Sequence, residues 1–111
     1  MSKAPMRVGS VVLVTFPFSN LKGKKLRPAL VLAKVEFDNL ILCQITSKSY
    51  TSKTAISIKE KDFAEGGLPI SSYIRPDKLF TADEIIIKEV VGQLTPITKN
   101  KILKSVRKLF N

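Results

Sequence analysis

The chain has 111 residues, 44% of them apolar, with 19 basic and 9 acidic side chains and no histidine, for a net charge of +10. That length and apolar share predict one domain, residues 1–111, burying on the order of 65% of its unfolded surface, and argue against disorder. A single cysteine and no histidine exclude an internal disulfide and a zinc site of the His/Cys kind, while apolar runs of four to six residues are too short to cross a bilayer.

The charge favours an anionic partner, although solubility alone would also account for it. Its distribution is uneven: residues 1–54 hold nine bases against two acids, and residues 55–111 hold ten against seven. No signal-peptide core opens the chain, so the cytoplasm is the expected compartment.

Met1 to Val8 is short and polar and reads as a loosely held arm. Ser10–Phe16 and Ala29–Val35 are rich in β-branched residues and flank a polar, Gly-bearing loop, which reads as strand, loop, strand. The loop carries Lys22, Lys24 and Lys25 and leads into Arg27, with no acid between Ser19 and Lys34. Pro17 is expected to end the first strand or lie on an edge, and Pro28 to start the second. Pro28 also biases Arg27 toward an extended conformation, which fixes a guanidinium at the rim of a sheet beside a cationic loop. Glu36–Asn39 supplies turn residues, and Leu40–Ile45 gives a third strand. These strands are continuous apolar runs, so both of their faces are expected to be covered. Cys43 lies inside one of them and reads as a small buried hydrophobe, not a nucleophile.

Residues 46–54 are hydroxyl-rich and contain Thr46, Ser47, Lys48 and Tyr50. Composition alone describes a solvated loop; the functional alternative is a phosphate-facing loop with hydroxyl donors and a stackable ring. Ala55–Ile58 alternates as a half-buried strand. Residues 59–67 read as a turn ending in Gly66-Gly67, with room for one helical turn and with Asp62 and Glu65 as solvated charges. Leu68–Tyr73 reads as another strand, interrupted by Pro69. Arg75-Pro76 repeats the arrangement of Arg27-Pro28, so Arg75 either binds an anion or solvates its strand end. Residues 81–84 suggest a turn or a short helical start, and Ile85–Leu94 a strand in which Gly92 marks a bulge or a close backbone approach. Thr95 can cap a final helix with Pro96 at its first position. In it Ile102, Leu103, Val106, Leu109 and Phe110 form one apolar stripe, and Lys101, Lys104, Arg107 and Lys108 occupy much of the rest. That pattern predicts a core-packing helix more than a reader of nucleic acid. Five to seven strands and one terminal helix predict a mainly β fold, a small and strongly bent barrel.

One ordered set of motifs runs through nearly the whole chain. It comprises Gly9, the strand from Val11 to Phe16-Pro17, the lysine loop, Arg27-Pro28-Ala29-Leu30-Val31-Leu32, Ile45-Thr46-Ser47, the run from Ser72 to Leu79, and Val91-Gly92-Gln93-Leu94. This set resembles the PemK/MazF family of toxin endoribonucleases from type II toxin–antitoxin pairs. Ser10 departs from the pattern, because the family usually carries an acid directly after the Gly. The resemblance implies an SH3-like β-barrel with a C-terminal α-helix, a homodimer, an acidic antitoxin protein as partner, and cleavage of single-stranded RNA such as mRNA. It also implies catalytic weight on Arg27 and Thr46.

The chemistry fits that implication without metal or cofactor. When the neighbouring 2′-hydroxyl attacks the phosphate, the protein must position it, stabilise a crowded anionic phosphorane and manage two protons. The five fixed donors of Arg27 suit equatorial phosphate oxygens, and a guanidinium that stays charged serves better as electrostatic stabiliser than as base. The Thr46 hydroxyl can donate to a phosphate oxygen or orient the substrate. Lys22, Lys24, Lys25, Ser47, Lys48, Arg75 and Lys78 are the expected substrate-binding residues. The acids, including Asp83 and Glu84, form no visible metal-binding pattern. Two alternatives belong to other classes: a non-catalytic SH3-like module that binds RNA or protein, and a related-barrel toxin that poisons a topoisomerase.

Overall fold

Runs of Val, Ile and Leu become strands here because the sheet is covered on both sides. The structure, a computed structural model, describes residues 6–16, 25–48 and 53–111. Among these, seven strands form one antiparallel sheet: β1 Ser10–Phe16, β2 Lys25–Val35, β3 Asn39–Thr46, β4 Ile56–Ile58, β5 Phe63–Gly66, β6 Ser72–Asp83 and β7 Ile87–Leu94. Their order across the sheet is β4-β6-β3-β2-β1-β7-β5. The helix α1, Pro96–Lys108, closes the chain. Register shifts interrupt the β1–β7, β2–β3, β3–β6 and β5–β7 pairings. Each adds local twist, and together they curl the sheet into a half-barrel whose edge strands are short.

Two apolar clusters sandwich the central strands. On one face Val11, Leu30, Cys43, Ile45, Ile74 and Leu94 pack with Ile102 of α1, which is wholly buried. On the other, Val12, Val14, Ala29, Val31, Leu40 and Leu42 are covered by Phe80 and Ala82 of β6 and by Ile86, Ile87 and Val90. This two-sided burial explains why the strands read as continuous apolar runs.

Several boundaries differ from the sequence reading. Pro28 does not start β2, which begins at Lys25. The β2–β3 ladder starts only at Ala29 opposite Gln44, so at Pro28 the strand pairs on one side alone and tolerates the missing N–H. Residues 59–67 hold a 3₁₀ turn, Glu60–Asp62, and then the edge strand β5. The strand expected at Leu68–Tyr73 starts at Ser72 and runs through Arg75-Pro76 to Asp83, and a 3₁₀ turn at Glu84–Ile86 delays β7 to Ile87.

Asp62 is not merely a solvated charge. Its carboxylate accepts from the Lys59 N–H at 2.8 Å and from the buried Thr98 hydroxyl at 2.8 Å, and its carbonyl accepts from the Thr95 N–H at 2.9 Å. Thr95 caps α1 by accepting from the Thr98 N–H at 3.2 Å, with Pro96 following as expected. Gly92 marks a close approach, since a Cβ there would meet the Phe63 ring at 2.8 Å. No helix among the described residues is long and apolar enough to cross a membrane.

Candidate active site

Three neighbouring strands build the site. Ala29 on β2 faces Gln44 on β3, and Gln44 faces Arg75 on β6. Side chains alternate along a strand, so Arg27 shares a face with Ala29, and Thr46 with Gln44. Arg27 and Thr46 lie just beyond the end of that ladder and line the same cleft, and Thr46 faces Tyr73. Deeper in the fold this face is the apolar cluster containing Ala29, Val31 and Leu42. Where the sequence turns polar the cluster gives way to a cleft of about 280 Å³. Arg27, Gln44, Thr46, Arg75 and Lys78 line it, with Pro28 and Ile45 as apolar wall.

A bulge delivers two of its cations. Cys43 pairs with Leu79, yet the next residue, Gln44, pairs with Arg75, which leaves Pro76, Asp77 and Lys78 out of the ladder. Pro76 has no N–H to lose there, so the bulge costs the sheet little and turns Arg75 and Lys78 toward the same cleft. Asp77 then clamps Arg75. The guanidinium donates through Nε to Oδ1 at 3.2 Å and through Nη2 to Oδ2 at 3.0 Å, and the Thr54 hydroxyl donates to Oδ1 at 3.3 Å. The hydrogen bonds from Arg75, against the opposing effect of burial, hold the Asp77 carboxyl below its ordinary value of 3.8.

Arg27 is differently placed. It is exposed, and among the described residues no hydrogen bond or ion pair holds its guanidinium. Thr46 is half-buried at the end of β3, where its Oγ1 accepts from the Lys48 N–H at 3.2 Å. A hydroxyl that accepts from its own turn keeps its hydrogen for an outside acceptor. The cleft thus offers a fork of donors on one strand, a hydroxyl donor on the next, and two further cations on the third. Donors and cations so arranged are chemically able to hold a phosphate.

The structure brings Arg27, Thr46, Arg75 and Lys78 together. Lys25, Ser47 and Lys48 are exposed at the neighbouring strand ends but do not line the cleft. Lys22 and Lys24 lie outside the described residues. The sequence reading missed Gln44 and Asp77. Gln44 had one signal, a polar residue inside the run Leu42-Cys43-Gln44-Ile45. Asp77 stands two residues from Arg75, but only the bulge lets that spacing become a clamp. Burial first, and the charge of Asp77 second, push the Cys43 thiol up to about 12, so it stays protonated and inert.

Ser10, where the resemblance leads one to expect an acid, is fully buried far along β1 from the cleft. It accepts from the Arg7 N–H at 3.0 Å and donates to Gln93 Oε1 at 2.8 Å, which pins the start of the strand. A larger hollow of about 500 Å³ lies between the edges β4 and β5, but its charged lining is one base and one acid, Lys59 and Glu60, with no arginine. Size therefore does not select the site; convergent chemistry does. Among the described residues no three His, Cys, Asp or Glu side chains come together as a metal set.

The family model of PemK-like, MazF-like toxins of type II toxin–antitoxin systems matches residues 7–110. Among solved structures, an endoribonuclease in complex with its cognate antitoxin from Mycobacterial species aligns with a TM-score of 0.73 at 20% identity, over 96% of this chain and 95% of that one. A MazE-MazF structure from Deinococcus radiodurans aligns with a TM-score of 0.74 at 18% identity, covering 93% and 94%. The Mycobacterium tuberculosis toxin MazF-mt6 aligns with a TM-score of 0.68 at 19% identity, covering 91% and 95%. Among curated proteins none matches the chain. At such identities the structural likeness speaks for the fold.

Proposed function

This chain belongs to the PemK-like, MazF-like toxins of type II toxin–antitoxin systems, and on that premise we propose that it is an endoribonuclease that cuts single-stranded RNA by internal attack of a 2′-hydroxyl, without metal or cofactor. One observation carries the reading: Arg27, Thr46, Arg75 and Lys78, from three separate strands, converge on a single cleft. The scissile phosphate sits between Arg27 and the Thr46 hydroxyl. Arg27 supplies its donors to the equatorial oxygens, Thr46 donates to one of them, and Lys78 adds a point charge. Arg75, oriented by Asp77, adds its positive charge beside the adjoining backbone. As the 2′-oxygen bonds to phosphorus it loses its proton, and the departing 5′-oxygen gains one. The products are a 2′,3′-cyclic phosphate and a 5′-hydroxyl.

The same reading places the protein in the cytoplasm with its mRNA substrate. Lys22, Lys24, Lys25, Ser47 and Lys48 extend the cationic approach to the cleft. A homodimer and an acidic antitoxin are its expected assemblies. An antitoxin segment that folds on binding can lay carboxylates over the cations of the cleft. Synthetic RNA and DNA of one sequence test the activity, because DNA lacks the nucleophile. Cutting of RNA alone, unaffected by excess chelator, is the expected result. Equal cutting of both, or cutting restored only by magnesium, would remove the internal-attack mechanism, and no cutting of varied RNA pools would favour a binding module.

A further inference from the structure

Gln44 interrupts the apolar run Leu42-Cys43-Gln44-Ile45 in β3, the middle strand of the cleft. Leu42, two residues before it and on the same face, is wholly buried in the core cluster. An apolar side chain at position 44 would continue that cluster, yet an amide stands there, half-buried and lining the cleft. Neither neighbour across the sheet gives the amide a partner. Ala29, opposite on β2, has only a methyl group, and Arg75, opposite on β6, turns its Nε and Nη2 to Asp77. Among the described residues no hydrogen bond holds the Gln44 side chain.

The cleft is one-sided in its chemistry. Arg27, Arg75 and Lys78 only donate hydrogen bonds, and Pro28 and Ile45 supply no polar side-chain atom. Thr46 Oγ1 accepts from the Lys48 N–H at 3.2 Å, which leaves its hydrogen to donate. Asp77 does not line the cleft, and both its carboxylate oxygens accept from Arg75. Gln44 Oε1 is therefore the one acceptor, among the described side chains that line the cleft, with no donor from the protein. The scissile link of an RNA strand mirrors this arrangement. Its phosphate oxygens are acceptors and match the cations and the Thr46 hydroxyl, and its single donor is the 2′-hydroxyl.

We propose that Gln44 Oε1 accepts the hydrogen bond of the attacking 2′-hydroxyl and so directs its oxygen toward phosphorus. The inference rests on the ribonuclease reading and adds to it the group that orients the nucleophile. Gln44 stands two residues, about 7 Å, from Thr46 on the same face, a distance that the Gln side chain and the ribose beside the phosphate close between them. An amide oxygen is too weak a base to remove the proton, so Gln44 positions the hydroxyl and leaves proton removal to another group. The contact also tells ribose from deoxyribose at the cut position, since only ribose carries the donor.

The test pairs a substitution in the protein with one in the strand. Wild-type cutting of a mixed-sequence RNA locates the cut, and a short RNA around it is made with ribose or 2′-deoxyribose at that nucleotide. With the ribose strand, Gln44→Leu should lower kcat by about 10²-fold, the scale of a misplaced reacting group, with a much smaller rise in KM. Binding is then read in an Arg27→Ala background, where slow cutting lets the ribose strand outlast the measurement. There the ribose strand should bind several-fold more tightly than the deoxyribose strand while Gln44 is present, and no more tightly once Gln44→Leu is added. Melting temperatures should match those of the parent proteins, and Gln44→Ala takes the place of Gln44→Leu if the larger side chain disturbs the cluster. A ribose preference that survives the loss of Gln44, or an unchanged kcat, would overturn the proposal and leave cleavage by internal attack standing. Full-rate cutting at a different sequence would also overturn it and assign the amide to a base. A wild type that cuts no RNA would remove the ribonuclease reading, and the proposal with it.

Discussion

Arg27 and Thr46 line one cleft from adjacent strands: one is a fork of donors, the other a hydroxyl whose oxygen is already oriented by its own turn. Loss of one preorganised donor at a developing anion costs about 10²–10³-fold in kcat. Arg27→Ala should fall by that order while keeping its melting temperature, since the side chain is exposed and does not pack into the core. Arg27→Lys should recover little, because a point charge cannot reproduce the planar fork. Thr46→Ala should be impaired and Thr46→Ser much less so, which steady-state kinetics on one RNA would read. A Thr46→Ser variant as poor as Thr46→Ala would assign the residue to packing instead. Asp77 acts through Arg75. Its carboxyl is held low by the hydrogen bonds from Arg75, so it is ionised at all pH values above the ordinary carboxyl range and the clamp loosens only on acidification below it. Asp77→Ala should therefore raise KM across neutral pH, and the wild-type rate between about pH 5 and 8 should show no step from this pair. A step there that disappears in Asp77→Ala would contradict the assignment.

At the scale of elements, the bulge in β6 and the tie between α1 and the 3₁₀ turn before β5 fix the geometry of the half-barrel. The Thr98 hydroxyl and the Lys59 N–H both bond the Asp62 carboxylate. Burial raises that carboxyl, but these bonds, aided by Lys61 and Lys101, outweigh it and hold it below 3.8. A carboxyl held low when folded binds fewer protons than when unfolded. Its stabilisation is full above the ordinary value and is lost as pH falls through the lowered one. Thr98→Val should cost about 1–2 kcal/mol near neutral pH, and denaturant melts should show the gap from wild type narrowing below pH about 4. A gap independent of pH would mean that the loss is one of packing. These features divide what sequence can and cannot reveal. β1, β3 and α1 were legible because β-branched runs, the Thr95-Pro96 cap and the Ile102-Leu103-Val106 stripe are local signals. The start of β6 and the strand β5 were not, because Pro76 and Gly66 argue against strands and only long-range pairing with β3 and β7 overrides them. Arg27 and Thr46 were legible as a motif. The roles of Gln44 and Asp77 depend on a register shift that no local pattern encodes. The end of the stripe at Leu109 and Phe110 is exposed, because the helix ends at Lys108 and both residues lie beyond it.

For the molecule as a whole, part of the net charge of +10 is gathered at one cleft. Arg27, Arg75 and Lys78 line that cleft, and Asp77 is hydrogen-bonded to Arg75 beside it. In the proposed function, a polyanion entering the cleft meets this group of cations. No histidine is present, so in the proposed mechanism the rate comes from positioning and from charge aimed at the phosphorane. The chemistry of the product ends tests that claim most directly. RNA cut by the purified protein in the presence of chelator should carry a 2′,3′-cyclic phosphate on one fragment and a 5′-hydroxyl on the other, and Arg27→Ala should yield neither at a comparable rate. Fragments bearing a 5′-phosphate would show that water, not the neighbouring 2′-hydroxyl, attacked the phosphorus, and would contradict the mechanism even though RNA had been cut.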